Sequence, residues 1–170
     1  MLGGCNKGPE PLDGAFVHIS QLSELGTVEY KLRKVIKAND VGQWYKIGDR
    51  KILFSCTAYV KAGIDLLEFT AQDMTLDPTG KHVTVLLPSP KILSLNIPSD
   101  EVQMVYGQVS GLRSSFTAEE MNAILRVGEK EVRQDVSRMG ILDDAKRQAR
   151  LFFTTLLLDM GYESVEVQFR

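Results

Sequence analysis

A chain of 170 residues with 44% apolar and 25% charged side chains has the composition of an ordinary globular protein, which excludes extended disorder, coiled coil and fibrous repeats. At that length a hydrophobic core can bury about 70% of the surface of the unfolded chain without disulfide or metal staples. Its 20 basic and 22 acidic side chains leave a formal charge of −2, so no bulk attraction draws it to nucleic acid, and none is expected as a partner.

The first stretch, Met1-Leu2-Gly3-Gly4-Cys5, matches the end of a bacterial lipoprotein signal, in which small residues precede the cysteine that receives lipid. Asn6 to Pro11 reads as a polar tether. A full signal also needs a basic region and an apolar region upstream of Leu2, so the expectation is a longer precursor, lipid-anchored through Cys5 in the cell envelope and facing the periplasm. Without that processing the chain is expected to be soluble. Residues 1–13 are thus expected to form a flexible tether and residues 14–170 one domain.

Within the domain, Phe16, Val17, Ile19, Leu22 and Leu25 suggest an extended lead-in followed by a short helix, with Ser20 as N-cap and Gly26 past its end. Val28, Tyr30 and Leu32 alternate with Glu29, Lys31 and Arg33, the period of a half-buried strand. From Lys31 to Lys51 seven basic residues (Lys31, Arg33, Lys34, Lys37, Lys46, Arg50, Lys51) face two acidic ones, Asp40 and Asp49. Such a run suits anionic lipid headgroups, and it equally serves to keep a strand edge from pairing with other chains. Trp44 to Ile52 reads as a hairpin turning at Gly48-Asp49, with Trp44 a candidate partner-contact residue or a lid over its own hairpin.

The most regular strand follows. Phe54, Cys56, Ala58, Val60, Ala62 and Ile64 share one face, and Gly63 suggests a bend near its end. Cys56 therefore points to the core as a small apolar residue. Met74 to Asp77 and His82 to Leu87 form a hairpin across Asp77-Pro78-Thr79-Gly80, with turn-forming residues in type I order. Pro88 and Pro90 end that strand, Lys91 to Ile97 resumes it, and Val102 to Tyr106 is a further strand.

Here the period changes. Thr117-x-x-Glu120 is a capping box, flanked by Phe116 and Met121 as a hydrophobic staple. The helix that follows aligns Met121, Ile124, Leu125, Val132, Val136 and Met139, and Gly140 ends it. A second helix runs from about Leu142 to Met160, with Asp143 and Asp144 in its first turn. Ala145, Ala149, Phe152, Phe153, Leu156, Leu157 and Met160 give it a broad apolar face that Leu158 almost closes, so its end is expected to be buried nearly all round. The apolar run Leu151 to Leu158 is far short of the roughly 20 residues that span a bilayer. Val165, Val167 and Phe169 then mark a closing strand.

The expected fold is therefore α+β: a mostly antiparallel sheet of six or seven strands, two C-terminal helices packed on it, and a final C-terminal strand. No GxSxG, P-loop, GxGxxG or HExxH motif occurs, and His18 and His82 have no neighbours at metal-ligand spacing. The expectation leans away from an enzyme, with no catalytic residue, metal or cofactor assigned. The strongest rival is a small-ligand-binding or metal-dependent site around Lys61, Asp65 and the 73–82 hairpin.

Three stretches carry a resemblance: Lys61-Ala62-Gly63-Ile64-Asp65-Leu66, Leu87-Pro88-Ser89-Pro90-Lys91-Ile92-Leu93, and the helix-to-strand pattern from Ala149 to Val167. Together they resemble the bacterial domain of unknown function family 4230, over roughly residues 20 to 170. The resemblance implies an envelope-associated α+β domain behind an N-terminal anchor, with no activity attached. The order of strands, two helices and a closing strand is also similar to stomatin/prohibitin-type membrane-scaffold domains, at the level of fold alone. The leading expectation is a non-enzymatic envelope module that binds another protein or assembles with itself.

Overall fold

The computed structural model describes residues 11–22, 24–37, 52–107 and 118–170. The fold is α+β. In chain order the described elements are α1 (Leu12–Ser20), β1 (Glu24–Lys37), β2 (Ile52–Asp65), β3 (Met74–Leu76), β4 (His82–Leu87), β5 (Lys91–Asn96), β6 (Gln103–Gly107), α2 (Ala118–Arg138), α3 (Ile141–Asp159) and β7 (Ser164–Phe169).

The first helix comes earlier than the sequence pattern suggests. Pro11 stands at its N-cap and Asp13 in its first turn, and together they start the helix ahead of Ser20. Ser20 instead closes it, its hydroxyl donating to the Val17 carbonyl at 3.0 Å. Gly26 lies within β1. The Trp44 hairpin and the Thr117 capping box lie outside the described residues.

Hydrogen bonding groups the strands into two sets. In one, β2 pairs with β1, β5 and β6, the last antiparallel with an irregular register between Leu53 and Phe54. In the other the order is β3-β4-β7. β3 and β4 are antiparallel, and β4 and β7 run parallel in register from His82↔Ser164 to Leu87↔Phe169. A parallel return needs a crossover, which the stretch between β4 and β7, including α3, supplies.

The turn between β3 and β4 follows from its residues. Gly80 takes φ +73°, a left-handed conformation that costs glycine little, and its amide donates to the Asp77 carbonyl at 3.0 Å. The Asp77 carboxylate accepts from the Thr79 hydroxyl at 2.6 Å and from the Lys81 and His82 amides at 3.1 and 3.0 Å. Positive φ at Gly140 and Gly161 marks the chain reversals after α2 and α3.

Contacts divide the chain into two compact units. The first comprises Met1–Val28, Ala62–Leu93 and Leu142–Arg170. Its core joins Ala15 and Ile19 of α1, Val83, Val85 and Leu87 of β4, Ala149, Phe153 and Leu157 of α3, and Val167 of β7. Thr27 ties this unit together, its hydroxyl lying 3.2 Å from the Ala145 carbonyl and 3.4 Å from that of Ala62. The second comprises Glu29–Lys61 and Ser94–Ile141. There Ile36, Phe54, Cys56, Ala58 and Val60 of the strands are buried, as are Ile124, Val132 and Val136 of α2. Met139, which the helical stripe places with them, is exposed because it falls at the final turn.

In the second unit α2 packs closely against the strands because residue 128 has no side chain. A Cβ there would stand 2.7 Å from Ile36 Cδ1 and 3.2 Å from Ile97 Cδ1, both inside ordinary van der Waals contact.

Candidate functional site

Asp65 ends β2, and both of its oxygens are engaged. Lys91 Nζ approaches Oδ2 at 2.5 Å and the Leu67 amide donates to Oδ1 at 3.0 Å. The lysine hydrogen bond, helped by that amide, holds the carboxyl below the usual range. The two residues belong to two of the stretches that carry the family resemblance, so Asp65–Lys91 is a bond between signature segments. Lys61, four residues earlier on β2, is exposed. Cys5 and Trp44 lie outside the described residues.

The acids of the 73–82 hairpin are likewise occupied. Asp73 accepts from the Thr70 amide at 2.8 Å and the Thr70 hydroxyl at 3.1 Å, and pairs with Arg170. Burial pushes its carboxyl up, but those donors together outweigh it and leave it lowered. Asp77 is held far below the usual range, first by the Thr79 hydroxyl and then by the His82 and Lys81 amides. Among the described residues no group of three or more His, Cys, Asp or Glu side chains is placed to hold a metal ion. Cys56 is buried, and burial pushes its thiol up, away from the reactive thiolate.

The basic run separates by strand period. Lys31, Arg33 and Lys37 are exposed on one face of β1, with Val35, itself 50% exposed, between them. Lys34 points the other way, 2.7 Å from Asp135 and 3.0 Å from Glu131 of α2. Those two carboxylates, Asp135 first, raise its pKa. Lys31 sits 5.1 Å from the centre of the Tyr59 ring, and the Tyr59 hydroxyl donates to Glu101 at 2.8 Å. Among the described strands β1 stands at one end of its order, which suits lysines that guard an edge.

The surface that sequence reasoning missed is on α3. Phe153 and Leu157 are buried, but Leu151 is 62%, Phe152 39% and Leu158 44% exposed. The expectation that the end of this helix is buried all round is corrected here. A helix packed on one side can bury only the stripe that faces its core, and here Ala145, Ala149, Phe153 and Leu157 are the fully buried residues of that stripe. Gln148, Leu151, Phe152, Thr155, Leu156 and Asp159 line an open groove of about 400 Å³ along the helix. The signal lay in the sequence: the run Leu151 to Leu158 has more apolar residues than one face can hold.

The family model described as a protein of unknown function, DUF4230, matches residues 18–167. The chain belongs to this family. The match spans every described element from β1 to β6 and both C-terminal helices, so the Asp65–Lys91 bond and the exposed face of α3 both lie within the DUF4230 region. No curated protein and no solved structure matches the chain. Among the described residues no helix is long and apolar enough to cross a membrane.

Proposed function

We propose that this DUF4230 protein is a non-enzymatic cell-envelope module, tethered through Cys5 in its full precursor, that docks a protein through the outer face of α3. The observation that carries the docking role is the exposure of Leu151, Phe152 and Leu158 beside a groove on a helix whose opposite side is fully packed. Contiguous exposed apolar surface is costly to keep in water and marks interaction sites. The tether is supported by Leu2-Gly3-Gly4-Cys5 and the polar stretch after it. The alternative of a ligand or metal site around Lys61 and Asp65 gains no support from carboxylates already committed to Lys91, Arg170 and the turn amides.

Expression from the natural upstream start, with fatty-acid labelling and membrane fractionation, tests the tether. Label in the membrane fraction that disappears in Cys5→Ser supports it, and an unlabelled cytoplasmic product contradicts it. Chemical crosslinking in the same cells tests the docking role: the adduct should be lost when Leu151 and Phe152 are both replaced by Gln.

A second reading is favoured by the exposed row Lys31, Arg33 and Lys37. It would contact anionic lipid headgroups with about 1 kcal/mol per basic residue. Binding to phosphatidylglycerol vesicles should weaken steeply with salt and fall when the three residues are replaced by Gln.

A further inference from the structure

Resting on the tether through Cys5, we propose that the lipid bilayer itself covers one surface of the first unit, the apolar rim around α1 formed by Val17, Leu67 and Leu76. Leu67 is 76%, Val17 50% and Leu76 38% exposed, and all three belong to the unit that holds α1. Leu67 stands in the turn from Leu66 to Phe69, which the Phe69 amide closes by donating to the Leu66 carbonyl at 3.0 Å. Both ends of that turn are buried, and the Phe69 ring lies 6.0 Å from that of Phe16 in α1. Leu76 is in β3, which packs against α1. The Asp65 carboxylate that holds Lys91 also accepts from the Leu67 amide, so the bond between the signature segments braces the turn that presents Leu67.

Chain length selects the occupant. Five residues separate Cys5 from Pro11, so even a fully extended chain sets the start of α1 no more than about 20 Å from the lipidated residue. Helix α1 cannot leave the domain to widen that gap, because Ala15 and Ile19 are fully buried in the core. A protein partner would have to enter the gap, whereas the bilayer is already there. The anchor supplies the association, so the contact has only to orient the domain. Burying one leucine side chain favours the docked orientation roughly 10- to 100-fold. Charge gives no pull toward anionic lipid here: Asp13 and Glu68 are exposed and acidic, Lys91 is paired with Asp65, and Arg170 with Asp73. The contact is therefore apolar and insensitive to salt, unlike one made through Lys31, Arg33 and Lys37.

The full lipidated protein, purified and returned to vesicles of phosphatidylethanolamine and phosphatidylglycerol, tests the contact, with mass spectrometry of its N-terminus reporting the lipid. With the Cys5 thiol acylated and Cys56 buried, a fluorophore is placed on a single new thiol at Leu67→Cys or Val17→Cys. Glu166→Cys is the control, since Glu166 alternates with the buried Val167 and points to the other side of β7. A nitroxide on the lipid acyl chains should quench the label at 67 and at 17 and leave that at 166 bright, at low and high salt alike. Adding Leu67→Gln should lower the ratio of docked to undocked protein reported from position 17 about tenfold. Melting curves of the variants control for folding. Lipidated, folded protein whose labels at 67 and 17 are quenched no more than that at 166 overturns the contact and leaves the tether in place. A label at 67 that is shielded from aqueous iodide but not reached by the nitroxide reports cover by a second copy and overturns it too. Absence of lipid on Cys5 overturns the tether, and the bilayer contact with it.

Discussion

Gly128 shows how one missing side chain sets the spacing of a layer. Replacing it with Ala adds a methyl group 2.7 Å from Ile36 Cδ1, which is itself fully buried. Overpacking of this kind costs about 1–3 kcal/mol, against about 1 kcal/mol gained from putting Ala for Gly in a helix. The net expectation is a loss of about 1 kcal/mol. Ile36→Val, which deletes that Cδ1, should cost about 0.5–1.5 kcal/mol alone but little or nothing in the Gly128→Ala background. Urea unfolding of the two single variants and the double variant measures the coupling, and additive effects would contradict the close contact. At Asp77 the expectation concerns pH. Its folded carboxyl titrates below the unfolded one, so its contribution is complete above the unfolded value, near pH 4. That contribution is lost as pH falls toward the folded value. The melting temperature should therefore fall on acidification below about pH 4, and less steeply in Asp77→Asn.

At the level of elements, α3 has two faces with opposite expectations. Phe153→Ala removes a fully buried ring and should cost about 3–5 kcal/mol. Leu151→Ala, on the exposed face, should change the stability of the monomer by no more than about 0.5 kcal/mol. Equal losses in a denaturant titration of the two would contradict the assignment of faces. The strands were the most legible elements, because alternation in β2 and the Asp77-Pro78-Thr79-Gly80 turn are local patterns that local geometry satisfies. The ends of both C-terminal helices were legible for the same reason, through Gly140 and Gly161. The first helix was not, since its apolar residues suit a helix on either side of Ser20 and only Pro11 and Asp13 decide where it starts. Nor was the exposed face of α3, because periodicity shows how wide an apolar stripe is but not how much surface the rest of the fold offers to cover it. The Asp65–Lys91 bond was not legible either, because its two residues stand 26 positions apart in the chain.

At the scale of the whole molecule, we propose that the outer face of α3 is where this DUF4230 protein meets another protein chain. Ala149, Phe153 and Leu157 lie in the core of their unit, while Leu151, Phe152 and Leu158 stay outside it. The titratable residues around Asp65 and the 73–82 hairpin serve turns and ion pairs, which leaves α3 as the more distinctive surface of that unit. The most direct measurement is photocrosslinking in cells from a photoreactive residue placed at position 151, with the exposed position 119 on α2 as control. A discrete protein adduct from 151 and none from 119 is the expected result. No adduct from 151, or equal adducts from both positions, would contradict the claim.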